Sequence, residues 1–124
     1  MSINEINVLV LAYLGDTIYE DYIRKYLINK GIAKVNDLQQ EASKYVSAKG
    51  QAAFLKDLLE NEFFTEEEQS VIRRARNYKS NSHPKNCDIV TYKHATALEA
   101  VIGYLELSNN RTRIDEIMNN ILGE

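Results

Sequence analysis

The stretch VLVLAYLGDTIYEDY, Val8–Tyr22, decides how the rest of the chain is read. Its apolar residues recur at helical spacing, so it predicts a helix laid against a core. Gly15 and Asp16 stand in the middle of it. A glycine weakens a helix interior by about 1 kcal/mol relative to alanine. A carboxylate among Leu, Ile and Tyr is costly to desolvate. A helix that only had to bury one face would have no use for this pair.

A second stretch repeats the pattern. ATALEAVIGYLEL, Ala95–Leu107, is built of Ala, Leu, Val and Ile, with Glu99 inside the apolar stripe and Gly103 one turn later. Two different helices thus each carry a carboxylate and a glycine among apolar residues. Glycines let helices approach closely. If these two cross at Gly15 and Gly103, Asp16 and Glu99 converge on one point. Converging carboxylates in a partly dry place repel unless a cation joins them. Mg²⁺ suits oxygen ligands and keeps several of its own waters, so few protein ligands suffice. The other reading is that both acids lie on solvent-facing sides of their helices, or pair with Arg and Lys.

Around these stretches the chain reads as helix throughout. Ser2 and Glu5 have capping-box spacing, predicting a helix from about Ile3 to Asn29, bent near its start and stopped by Gly31. Asn36 predicts a cap for Asp37–Val46, and Ser47 one for Ala48–Glu60. Thr65 and Glu68 form another capping box, opening a helix that ends near Asn77. YKSNSHPKNCD, Tyr78–Asp88, has no apolar periodicity and is expected to be an exposed, mobile loop. A long helix is predicted from Ile89 to Leu107, capped by Asp88, and a last one from Thr112 to Leu122, stopped by Gly123. No strand-like alternation competes. The fold expected is all-α, about six or seven helices in one domain.

Composition sets the outer bounds. The chain has 124 residues, 44% hydrophobic and 27% charged, with one proline and five glycines. That length can bury a core. No apolar run approaches the ~20 residues of a membrane span. Cys87 is the single cysteine, so no intrachain disulfide forms, and a reducing, cytoplasmic setting is expected. The formal net charge is −3. Against that average, Arg73–Lys93 holds Arg73, Arg74, Arg76, Lys79, Lys85 and Lys93 with Asp88 as its one acid. Such a stretch is either a surface for an anionic ligand or a solvated loop and helix end. His83 and His94 lack ligand spacing with Cys87, which argues against zinc. AKGQAA, Ala48–Ala53, has one glycine and is no phosphate loop. Tyr19, Tyr22 and Tyr26 lie at helical spacing and read as core or subunit interface.

LAYLGDTIYE resembles the signature helix of ribonuclease III catalytic domains, and ALEAVIGYLEL resembles that family's second acidic helix. RRARNYKSNSHPKN followed by DIVTYKHATALEA is closer still to the short subgroup, Mini-ribonuclease III. The resemblance runs from Val8 to Leu107. It implies a ribonuclease III-like endonuclease domain that dimerises and cuts double-stranded RNA with Mg²⁺. Asp16 and Glu99 match the family's two central metal-binding, catalytic acids. Two further acids of the larger family fall on Ala12 and Thr96 here, so a thinner metal shell is expected. Glu20 could add a carboxylate from the next turn or stabilise the dimer. The chain ends at Glu124, so no double-stranded-RNA-binding domain is expected, and the core itself must hold the duplex. Arg74, Arg76, Asn77, Lys79 and Lys85, with Lys49, are assigned to RNA binding, because duplex RNA is met largely through phosphates and 2′-hydroxyls. Lys93 could neutralise phosphate charge. The subgroup resemblance further implies precursor 23S ribosomal RNA as substrate, in a bacterial cytoplasm, and leaves room for a ribosomal protein as accessory partner. Two other classes stay open: an RNA-binding or ribosome-assembly factor on the same fold without catalysis, and a helical interaction module with no RNA role.

Overall fold

The structure, a computed structural model, describes residues 2–79 and 83–123. A 3-10 turn at Ile3–Glu5 is followed by α1 (Val8–Asn29), α2 (Val35–Val46), α3 (Ala48–Glu60), α4 (Glu66–Arg76), α5 (Ile89–Leu107) and α6 (Arg111–Leu122). There is no strand among the described residues.

The caps explain most of the boundaries. Ser47 accepts from the Gly50 amide and starts α3, and Asp88 accepts from Thr91 and starts α5. Thr65 and Glu68 make the reciprocal capping box of α4. Gly123 ends α6 with φ of 75°, the left-handed region that glycine enters freely. Two boundaries differ from the sequence reading by two residues or more. The Ser2 side chain caps only the short 3-10 turn, and α1 begins at Val8, where Asn7 accepts from the Leu9 amide. Helix α2 begins at Val35 rather than Asp37, behind Lys34, which makes no side-chain cap. Packing of its Leu38, Ala42 and Val46 against the core holds that end instead.

Helix α5 is the axis of the molecule. It is buried on nearly every side from Ala95 to Leu105, as a helix apolar all round must be. Helices α1, α3 and α4 pack around it, α1 most extensively. Helix α1 buries Leu11, Ala12, Gly15, Ile18 and Tyr19, and meets α5 at Leu11 and Gly15. The contact is a glycine crossing. A Cβ added at Gly15 would overlap the carbonyl oxygen of Glu99, and one added at Gly103 would overlap that of Leu11. The backbones therefore touch at that point, which no side chain would allow. Helix α6 closes one end through Ile114, Ile117 and Met118. It is pinned there by Arg113, which donates to Glu68 at 2.8 and 2.9 Å and to the Phe63 carbonyl at 2.7 Å.

The tyrosine stripe is consumed inside the chain. Tyr19 is fully buried and donates to the Tyr45 carbonyl at 2.7 Å, tying α1 to α2. Tyr26 packs edge-on against Tyr45, and Tyr22 bonds Asp115 of α6. Its residues are thus no surplus that calls for a second subunit. The large exposed apolar residues of α1 lie elsewhere, at Leu9, Val10 and Tyr13 near its start and Ile28 near its end, and Tyr13 is 83% exposed. The loop reading is corrected at its first residue: Tyr78 packs against the core, and its hydroxyl meets the Asn7 amide at 3.5 Å. The tip of that loop, residues 80–82, lies outside the described residues. No helix among the described residues is long and apolar enough to cross a membrane.

Candidate active site

The close crossing of α1 and α5 determines what their acids can do. Asp16 follows Gly15, and Glu99 is the residue whose own carbonyl meets Gly15. Their carboxyl groups come within hydrogen-bonding reach of one another. The environment is asymmetric. Asp16 is exposed, contrary to the expectation that it sits among apolar side chains, whereas Glu99 is half-buried. Asp16 thus forms the solvent edge of the site and Glu99 its floor.

The electrostatics follow from that placement. Glu99 is pushed from 4.5 up to about 8, first by burial, then by its hydrogen bond with Asp16 and by Asp16's charge. The charge of Glu20 adds a smaller push, and the Gln51 amide opposes them. Tyr19, behind the pair, is raised well above the ordinary phenol range by its burial and then by the charge of Glu99. Without a cation a second negative charge beside Asp16 is unfavourable, and Glu99 favours its protonated form. A divalent ion removes that conflict, and the donor set is all carboxylate oxygen, which suits a hard cation that keeps its own waters. The residues present therefore fit such an ion. Among the described residues no cluster of three or more Asp, Glu, His or Cys is placed to hold a metal.

The two positions where acids were missing are closed. Ala12 is buried against the core. Thr96 is buried too, and its hydroxyl donates to the Tyr92 carbonyl at 2.9 Å within its own helix. Neither can reach a cation. Glu20 is near enough for its charge to be felt at Glu99, but it pairs with Arg24 at 3.3 Å. Lys93 is half-buried and six residues before Glu99, which turns it about a third of a turn away around α5. Sequence reasoning missed Gln51. It is 2% exposed and donates to Glu99 at 3.3 Å from Nε2. A lone amide among Ala, Phe and Leu in α3 was the signal, but its partner is 48 residues away in sequence.

The basic residues are distributed around the end of α4 rather than gathered at the acids. Arg74 and Asn77 border an open hollow of about 580 Å³ between α4 and the N-terminal segment. Arg74 is half-buried there and donates to the Ile6 carbonyl at 3.1 Å, so part of its guanidinium is engaged. Arg76 borders a different hollow of about 540 Å³, with Lys56 of α3 and His94 of α5. Lys49, Lys79 and Lys85 are exposed. Neither hollow includes Asp16 or Glu99.

Comparison with known proteins agrees with this fold. A family model described as ribonuclease III domain matches residues 9–110. Mini-ribonuclease 3 of Streptococcus pneumoniae is 45% identical over 118 residues, which is 95% of this chain and 92% of that protein. Mini-ribonuclease 3 of Brevibacillus brevis is 51% identical over 115 residues, 93% of this chain and 84% of that protein. A crystal structure of a Fusobacterium nucleatum protein, 33% identical, superposes with a TM-score of 0.86 over 97% of this chain and 96% of that one. The chain belongs to the ribonuclease III family, on its Mini-ribonuclease 3 branch, and is an endoribonuclease of that type.

Proposed function

We propose that Asp16 and Glu99 hold Mg²⁺ and that the protein cuts double-stranded RNA there, as a two-fold homodimer in a bacterial cytoplasm, within one catalytic domain. Precursor 23S ribosomal RNA is the substrate we assign, with room for a ribosomal protein as accessory. Ribonuclease III enzymes act on double-stranded RNA and are in general metal-dependent. The observation that carries the reading is the backbone contact at Gly15 and Gly103, which brings two acids from separate helices together at the surface.

The chain's own residues divide the work. Glu99 and Asp16 provide the negative site and orient what binds between them. A divalent cation bound there supplies an activated water and neutralises charge on the scissile phosphate. In-line displacement leaves a 5′-phosphate and a 3′-hydroxyl. Arg76, Asn77, Lys79, Lys85 and Lys49 meet the sugar-phosphate backbone, and Arg74 does so with the donors that Ile6 leaves free. Contacts to backbone rather than base edges favour affinity over sequence preference. Cutting both strands needs two equivalent sites, which a two-fold dimer offers. Leu9, Val10 and Tyr13, exposed on α1 within two turns before Asp16, support that dimer.

Incubation with long duplex RNA, with and without EDTA, tests the proposal. Cleavage that EDTA stops and added Mg²⁺ restores is the expected result. Cleavage that persists in EDTA would overturn it.

A further inference from the structure

Few polar side chains among the described residues are deeply buried, and each has a visible role. Glu68 holds the α4 cap and the Arg113 ion pair. Thr96 bonds its own helix. Gln51 is 2% exposed and gives its amide to Glu99 across the gap between α3 and α5. An amide buried that deeply is unfavourable unless it is hydrogen-bonded. Its bond falls on one of the two carboxylates that matter most.

We propose that Gln51 is a positioning residue, whose amide holds the Glu99 carboxylate facing Asp16 in readiness for a divalent cation. The inference rests on the metal-binding reading of those two acids. Its physical basis is the conflict between them. Once both are ionised, as a bound cation requires, Asp16 and Glu99 repel, and Glu99 has a flexible side chain that relieves the repulsion by turning away. A donor fixed in the core opposes that motion without adding charge. Ala12 and Thr96 offer no ligand, so alignment of the two remaining acids governs cation affinity here. A carboxylate at position 51 would be a third negative charge beside the pair, and an apolar side chain would leave Glu99 unrestrained. Gln51 is firmly anchored. It lies in the first turn of α3, one residue after Gly50, where the helix backbone packs against the Lys44 carbonyl of α2.

The test uses Gln51→Met, which keeps the length and packing of the side chain and removes the donor. Mg²⁺ affinity is read from the rise in melting temperature on titration with Mg²⁺ alone. Outer partners of metal ligands commonly contribute roughly 10- to 100-fold in affinity, and a loss of about that size is expected. Duplex-RNA affinity in EDTA should be unchanged, and cleavage should recover at raised Mg²⁺. In a Glu99→Gln background the same substitution should alter the Mg²⁺ response no further, which a merely structural role would not predict. Gln51→Glu gives a second arm, with a lower melting temperature in EDTA and a larger rise with Mg²⁺. Mg²⁺ affinity of Gln51→Met within about twofold of wild type would overturn the proposal, as would an unchanged Mg²⁺ response in Gln51→Glu. If Asp16→Asn abolishes the Mg²⁺ response and Gln51→Met retains it, the role of Gln51 alone fails. If Asp16→Asn leaves the response intact, the metal reading fails and this inference with it.

Discussion

The crossing of α1 with α5 and the basic end of α4 are built on opposite principles. At the crossing, two backbones touch at Gly15 and Gly103, and Glu99 beside them is held by the buried Gln51. Around the end of α4, Arg76, Lys79 and Lys85 are exposed, Arg76 and Arg74 border two separate open hollows, and Arg74 is tied down by a carbonyl. The first region has one geometry and charges that conflict. The second has many geometries and charges that agree. Rigid, conflicting charge suits a reaction that needs a cation at a defined place. Adaptable, like charge suits a polyanion whose phosphates repeat along a surface. Changes at the crossing should therefore affect chemistry, and changes at the basic end affinity.

Asp16→Asn and Glu99→Gln put this contrast under the greatest strain. Each should lower cleavage on the order of 10³-fold or more, since charge stabilisation at the reacting centre is lost, while duplex-RNA binding in EDTA stays near wild type. The double variant should be little worse than either single one, because residues acting as a unit are not additive. Single-turnover cleavage of a labelled duplex reads both. Full activity in either single variant would remove the assignment.

Acidity provides the next test. In the metal-free protein Glu99 keeps its proton up to about pH 8, against an ordinary 4.5. Its pKa is raised on folding, so its contribution to stability is whole below the unfolded value and is lost as pH rises through the window up to about 8. A cation needs the carboxylate, so binding expels that proton. Mg²⁺ affinity should climb with pH, by up to about tenfold per unit below about 8, and then level off. Glu99→Gln should show a flat profile. A titration at several pH values that found no slope in wild type would mean Glu99 is already ionised.

Gly15→Ala and Gly103→Ala ask whether the contact itself sets the site. Overpacking costs about 1–3 kcal/mol, and here the obstacle is backbone, so the upper part of that range is expected in urea unfolding. Activity should fall further than the folded fraction does, because the acids are moved apart. The smallest effects belong to the basic end. Arg76→Ala and Lys79→Ala should each weaken duplex binding for every sequence and lower the salt slope by about one per lost phosphate contact. Arg74→Ala should weaken binding too, and should also cost about 1 kcal/mol of stability through the lost bond to Ile6. Equal salt slopes in all three variants and wild type would show that the duplex is held elsewhere.

Local chemistry along the chain was enough to reveal the helices and the acids. Caps at Ser47, Thr65 and Asp88 marked helix starts because capping is a local hydrogen bond between near neighbours. Asp16 and Glu99 stood out because a charge in an apolar stripe is anomalous at any position, and the glycines beside them indicated a close approach. The start of α2 was not legible, because no cap holds it and tertiary packing does. Asp16's exposure was not legible either, since helical periodicity names a face and cannot say where its neighbours end. Only the packing of the helices decided that Tyr19, Tyr22 and Tyr26 are satisfied inside the chain, that Arg74 is partly engaged by Ile6, and that Gln51 is the partner of Glu99. Each of those is a contact between distant segments, and no spacing along one helix records which atoms another helix will bring to it.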